Sequence, residues 1–275
     1  MSELPIIADM RLVQRQSALE AWFDRPQAKN ALTATMVEGL LALCAQLSFR
    51  RDIRTLVLRG AGGAFCAGGD IKEFGRLLSL PEPSPGEADP VASGNRVFGE
   101  LLLALDALPQ PIVCVVEGPA LGGAMGLLAV ADLVIATPDA QFALSETSLG
   151  LIPAQIGPFL VRKIGLYRAR RLALTGARFG AKMAIAMGLV DELAPDANAA
   201  LARALTDIGR CEPGANSLTK RLFNESVPRI DPALLDRAAL DFARALRGGG
   251  RDGAIAFAAK QTPAWVEIYA EDAAP

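Results

Sequence analysis

The period of the hydrophobic pattern switches several times along this chain. Short apolar or β-branched runs recur, each followed by small or polar residues and then by apolar positions at helical spacing. Residues 6–13 and 18–23 read as a strand pair, ended by the turn Arg25-Pro26-Gln27-Ala28-Lys29-Asn30. Thr33 suits an N-cap, with Met36, Leu40, Leu41 and Leu43 on one helical face behind it. Residues 55–59, 112–116 and 133–136 read as short buried strands, and a helix is expected over residues 122–130. Strands alternating with helices predict an α/β architecture with parallel strands and right-handed crossovers.

Two stretches break the alternation. Residues 75–95 include Leu80-Pro81-Glu82-Pro83-Ser84-Pro85-Gly86, which fits neither helix nor central strand and reads as a surface loop. Beyond about residue 195 the strands stop. Ala-rich amphipathic helices are expected over 199–208, 216–226, 231–247 and 252–260, with Gly209 as a stop for the first. The expected division is a core over 1–195 and a helical region over 196–275.

The 275 residues suffice for a large core, and 51% of them are hydrophobic. A net charge of -2 gives no electrostatic case for a nucleic-acid partner. The chain has 0 histidines, which excludes Ser-His-Asp and Cys-His machinery and histidine-ligated zinc. Proton transfer must fall to a carboxylate, Lys, Tyr or Cys. Cys44, Cys66, Cys114 and Cys211 form no CxxC pair and read as buried reduced thiols; no metal site is expected. No run reaches the ~18 apolar residues of a membrane span, and no secretory leader is visible. A cytoplasmic protein without a membrane partner is therefore expected.

The chemistry concentrates in two glycine-rich segments, AFCAGGDIK over 64–72 and EGPALGGAMG over 117–126. Each lies between a strand and a helix pattern. Two backbone N–H groups from two such turns, aimed at one point, can hold the oxyanion of an activated thioester. Glu146 follows the apolar run 141–144 and precedes Leu149, Leu151 and Ile152; a carboxylate so placed should have a raised pKa.

Four stretches together resemble the enoyl-CoA hydratase/isomerase (crotonase) superfamily: residues 25–32, 65–74, 117–127 and 142–153. The resemblance implies a spiral of β-β-α units, a C-terminal helical trimerisation region giving a homotrimer or a dimer of trimers, and an acyl-CoA thioester substrate. Coenzyme A would be part of that substrate, and no separate cofactor is implied. Carried over by position, the oxyanion hole is the N–H of Ala67 and of Gly123, and Glu146 is one of two catalytic glutamates. Gly126 stands where the other would be. Ala28 and Lys29 would lie near the phosphopantetheine or phosphates, with Lys72 a second phosphate partner. Ala67, Asp70 and Ile71 would line the adenine pocket, Phe65 and Gly122 would join the substrate contacts, Lys260 would reach the CoA, and Trp265 would wall the acyl tunnel.

Gly126 cannot transfer a proton, which leaves three routes open. Glu146 moves both protons through a bound water; or Glu117, Asp70 or Gln155 orients the water; or the reaction is a double-bond isomerisation needing one base. The words GGAMGL and SETSLGLIPAQIGP resemble hydratases of branched glutaconyl-type substrates such as 3-methylglutaconyl- or isohexenylglutaconyl-CoA. There Gln155 would serve as a donor to the extra carboxylate, and Gly126 would leave room for a bulkier acyl group. A non-catalytic acyl-CoA- or RNA-binding protein is the alternative of another class.

Overall fold

A computed structural model describes residues 3–268. It opens on an antiparallel pair, β1 (Met10–Arg15) and β2 (Ala18–Phe23). The first strand starts four residues later than the apolar pattern suggests, and Ile6 is fully exposed ahead of it. In α1 (Ala34–Leu47), the Met36 N–H donates to Thr33 Oγ1 at 3.2 Å, the cap the sequence predicts, and the apolar face is buried. Then follow β3 (Thr55–Gly60), α2 (Ile71–Leu78), α3 (Pro90–Asp106), β4 (Ile112–Val116), β5 (Pro119–Leu121) and α4 (Gly123–Val130). The core continues through β6 (Leu133–Ala136), β7 (Gln141–Ala143), α5 (Gly157–Ile164), α6 (Leu166–Thr175), β8 (Arg178–Gly180), α7 (Ala181–Met187) and β9 (Glu192–Leu193).

Two sheets result. The larger runs β1-β2-β3-β4-β6-β9 and is parallel from β2 onward; the smaller runs β5-β7-β8. Single parallel bridges, Leu32 to Gly69 and Cys66 to Ala120, extend the smaller layer toward the N-terminus. A repeating unit emerges: a strand in the large sheet, a short extended piece in the small layer, then a helix. β2–Leu32–α1, β3–Cys66/Gly69–α2, β4–β5–α4 and β6–β7–α5 each obey it. The repeat stacks the strand-to-helix turns near residues 32, 69, 122 and 145 side by side. The central strands are buried on both faces, which explains their continuous apolar runs. One face meets the main core. On the other, Val57, Val113, Val115 and Ile135 meet Ala200, Leu201 and Ala204 of α8 (Ala197–Arg210).

Two expectations are corrected here. Gly75 lies inside α2, and residues 90–95 already belong to α3, so the irregular stretch shrinks to 79–89. Asp89 causes the early start: its carboxylate accepts the Val91 and Ala92 N–H groups, and Pro90 occupies the first helical position. Gly209 does not stop α8, which continues to Arg210; no neighbour lies within 4 Å of a Cβ there.

Cys44, Cys66 and Cys114 are buried as expected, but Cys211, at the end of α8, is exposed. The remaining helices are α9 (Pro213–Glu225), α10 (Pro232–Arg247) and α11 (Gly249–Ala258). The strand-free end is not detached from the core. Ala239, Phe242, Ala243 and Leu246 of α10 share a cluster with Val91, Ala92, Leu151 and Ala154. Arg247 also grips Asp89 through two hydrogen bonds, of 2.6 and 2.8 Å. Among the described residues, no helix is long and apolar enough to cross a membrane.

Candidate active site

The two glycine turns touch. Gly68 has φ +90, and a Cβ on it would stand 2.9 Å from the Leu121 carbonyl oxygen and 3.5 Å from the Gly123 nitrogen. Only a glycine allows that approach. Alternation along the first turn decides where each N–H points. The Ala67 N–H donates to the Lys29 carbonyl at 3.0 Å. Leu32 then takes both flanks of Gly69: its N–H donates to Gly68 O, and its carbonyl accepts from Asp70 N–H. The Gly69 N–H therefore points the other way, toward residues 121–123, and has no acceptor among the described residues. This corrects the expectation for Ala67, whose N–H is already spent.

In the second turn the Gly122 N–H is also spent, on the Ala143 carbonyl at 2.9 Å. Gly122 has φ +52, and that left-handed bend turns the Gly123 N–H away from the small sheet at the start of α4. It too has no acceptor among the described residues, and the helix dipole reinforces it as an anion donor. Leu32 Cδ1 and Phe98 Cζ would lie 3.3 and 3.6 Å from a Cβ on Gly123.

Glu146 begins a 3-10 turn, Glu146–Leu149, with two residues separating it from the end of the short strand β7. Its Oε1 lies 3.1 Å from where a Cβ on Gly122 would be, which sets the carboxylate against the second glycine turn. Its Oε2 is buried without a hydrogen-bond partner. Burial pushes the carboxyl up to about 7, with its own backbone N–H pulling weakly the other way. A carboxyl poised near neutrality beside the second of these N–H groups can take a proton from the carbon next to a thioester carbonyl, or give one to the enolate that results.

The other expected site residues divide. Asp70 caps α2 through the Lys72 N–H at 2.9 Å and pairs with Arg25 at 2.7 Å. Burial alone would raise its carboxyl, but that N–H and the Arg25 guanidinium outweigh it and hold the group below its ordinary value. Ala28 ends a 3-10 turn, and Lys29 is exposed with φ +48 beside the first glycine turn; Lys72 is also exposed, and Ile71 opens α2. Phe65 is fully buried, edge-on to Phe23 at 5.6 Å, and is core beneath the turn rather than a substrate contact. Lys260 is exposed just after α11, and Trp265 packs near Gly249 at the start of that helix, 42% exposed.

Two more expectations fail on packing. A Cβ on Gly126 would meet Leu102 at 3.0 Å, Phe98 at 3.3 Å and Ile156 at 3.4 Å, so the space beside it is already filled. Gln155 is 1% exposed, and both its amide hydrogens are taken, by Asn95 Oδ1 and the Leu235 carbonyl. It has no donor left for a ligand. Glu117 pairs with Arg59 at 2.8 Å. Phe98, which the sequence did not single out, lies beside both Gly123 and Gly126. The signal was the spacing of Phe98, Leu101, Leu102 and Leu105 on one helix.

The sequence profile of the enoyl-CoA hydratase/isomerase family matches residues 14–266, and the chain belongs to that family. A crystal structure of an enoyl-CoA hydratase/isomerase from Marinobacter aquaeolei is 39% identical, covers 94% of this chain and 99% of that one, and superposes with a TM-score of 0.77. AtuE of Pseudomonas aeruginosa is 45% identical over 94% of this chain and 100% of that one, with a TM-score of 0.75. A mevalonyl-coenzyme A hydratase, SIDH of Beauveria bassiana, is 29% identical over 251 residues, 88% of this chain and 89% of that protein. The match to YngF of Bacillus subtilis, 39% over 172 residues, spans 62% of this chain and 63% of that protein. The fold is thus the α/β crotonase fold, as the four motifs imply.

Proposed function

We propose that this protein is a hydro-lyase that adds water across the C2–C3 double bond of an enoyl-CoA thioester. The thioester oxygen sits between the Gly69 and Gly123 N–H groups, and Glu146 carries the protons. Glu146 takes a proton from water as its oxygen bonds to C3. The electron pair of the double bond moves into an enolate held by the two donors. The same carboxyl then returns a proton to C2, so the net change is the addition of one water. The observation that carries this reading is the Glu146 carboxyl, its Oε2 buried without a partner and its pKa raised to about 7, against the Gly122–Gly123 turn.

The filled space at Gly126 favours a second reading. With one carboxylate, the same site would shift a 3-enoyl-CoA to a 2-enoyl-CoA by moving a proton from C2 to C4 through a dienolate. Crotonyl-CoA and 3-methylglutaconyl-CoA, assayed by mass spectrometry, separate the two. A gain of one water supports hydration, and deuterium uptake from solvent without that gain supports isomerisation. The glutaconyl-type substrate rests on the two sequence words alone, since Gln155 offers no donor; preference for crotonyl-CoA removes it. Glu146→Gln should lower turnover ~10²–10⁴-fold as a general acid–base loss, and undiminished turnover would sink both readings. Trimer assembly is part of the proposal, supported by the exposed Leu218, Leu222 and Phe223 on α9.

A further inference from the structure

We infer that the glycine face of α11 is a positioning element for Glu146, with Gly253 and Gly250 as its positioning residues; this rests on the reading of Glu146 as the proton carrier. The helix turns Gly249, Gly250 and Gly253 toward the turn that carries Glu146. A Cβ on Gly253 would stand 2.2 Å from the Leu149 carbonyl oxygen. On Gly250 it would stand 2.7 Å from Leu151 Cδ2 and 2.8 Å from the Ala245 carbonyl oxygen. On Gly150, which has φ +70, it would stand 2.5 Å from the Gly249 carbonyl carbon. Backbone meets backbone along this seam, at distances no side chain permits.

The seam connects to Glu146 through the turn's own hydrogen bonds. Leu151 N–H donates to the Glu146 carbonyl at 2.9 Å, and Gly150 N–H donates to Thr147 O at 3.1 Å. A push at Leu149 is therefore delivered within one tight turn to the backbone of Glu146. The close approach comes at a cost to the helix, about 1 kcal/mol for each glycine against Ala, and α11 begins with Gly249-Gly250-Arg251-Asp252-Gly253. Gly253 and Gly250 touch no reacting atom. They set where Glu146 stands.

The test is steady-state hydration of crotonyl-CoA by the full-length chain, with turnover normalised to folded protein by circular dichroism. Gly253→Ala should lower kcat ~10²-fold, the cost of about 1 Å of misplacement, with KM nearly unchanged. The midpoint of its pH–rate profile should also fall below that of the wild type, because a loosened turn admits water to Oε2. A merely structural role would lower the melting temperature and leave kcat per folded molecule and that midpoint in place, which would overturn the inference. If Gly253→Ala does not fold, Gly250→Ala, whose nearest neighbour is the movable Leu151 methyl, is read the same way. It should show a smaller drop, and wild-type kcat there overturns the inference too. Gly209→Ala, with no neighbour within 4 Å, should match the wild type. Glu146→Gln runs in parallel: retained activity there defeats the reading of Glu146, whereas an inactive Glu146→Gln beside a wild-type Gly253→Ala defeats only the positioning claim.

Discussion

The two glycine turns offer the same group, a bare backbone N–H, but are supported by different kinds of side chain. The first is braced by polar ties. Asn30 is fully buried with φ +57; its Oδ1 accepts the Arg25 N–H, and its Nδ2 donates to the Ala61 and Ala64 carbonyls at 2.8 and 2.7 Å. Lys29 O and Leu32 then template residues 67–70, and Arg25 pairs with Asp70. The second turn has backbone ties, Leu121 N–H to the Cys66 carbonyl and Gly122 N–H to the Ala143 carbonyl, both at 2.9 Å, but no side-chain hydrogen bond at residues 121–126 among the described residues. Apolar packing by Leu32, Phe98, Leu102 and Ile156 closes around Gly123 and Gly126, and Glu146 lies against Gly122. Backbone hydrogen bonds aim both donors; what differs is the support behind them, buried polar side chains for the first and apolar packing for the second.

The sharpest break falls where the turns meet. Gly122→Ala places a Cβ 3.1 Å from Glu146 Oε1 and 3.6 Å from the Gly68 Cα, at a φ of +52 that a β-carbon disfavours. Relaxing that strain rotates the Gly123 N–H and displaces Glu146 together. The expected loss is ~10²–10³ in kcat, that of one oxyanion donor, read by steady-state turnover; wild-type kcat would refute the assignment of Gly123 as a donor.

Packing at the second turn is tested by giving Gly126 the missing carboxylate. Gly126→Glu should not gain activity, because Leu102, Phe98 and Ile156 occupy the space. Overpacking and a buried carboxyl should cost about 3 kcal/mol, or roughly 10 °C of melting temperature at this chain length. A stable Gly126→Glu variant with raised hydratase activity would contradict the packed pocket.

The polar brace is tested at Asn30. Asn30→Ala leaves the Ala61 and Ala64 carbonyls and the Arg25 N–H without their partner. The expected cost is about 2 kcal/mol and roughly 5 °C, with kcat falling as the first turn loosens. The same truncation at Phe98 should instead act on the second turn, through acyl-group selectivity in a panel of enoyl-CoAs.

How legible this was in the sequence differs between the two turns in the same way. The strands β2, β4 and β6 and the Thr33 cap are local patterns, and the chain states them outright. The four motifs name the family, and Gly123 and Glu146 follow from them. The other donor was not legible. Ala67 and Gly69 are two residues apart, and only the Lys29 carbonyl, brought from another segment, decides which N–H is spent. Gly126 and Gln155 misled for a related reason. Their surroundings come from α3 and α10, far off in sequence, and the start of α3 was itself hidden by the proline-rich stretch before it. Likewise the Gly249–Gly253 run reads as a weak helix start until Leu149 is seen against it.

The smallest effect sets the turns apart by pH. Asp70, in the first turn, is held below its ordinary value, while Glu146, against the second, is raised from 4.5 to about 7. Between those pH values the folded chain holds the Glu146 proton and the unfolded chain has released it, so stability must fall as pH rises. The Glu146 contribution is complete below about 4.5 and is lost as pH climbs through about 7. Asp70 has the opposite sign: its contribution is complete above its unfolded value and disappears as pH falls through the lower folded one. Melting temperatures of Glu146→Gln against wild type should therefore diverge in slope across pH 4.5 to 7, with the variant flatter. Asp70→Asn should differ from wild type mainly at neutral pH and converge with it in acid. Parallel curves for Glu146→Gln and wild type across that range would mean that water reaches Oε2, and that the second turn is not the dry, packed partner of the first.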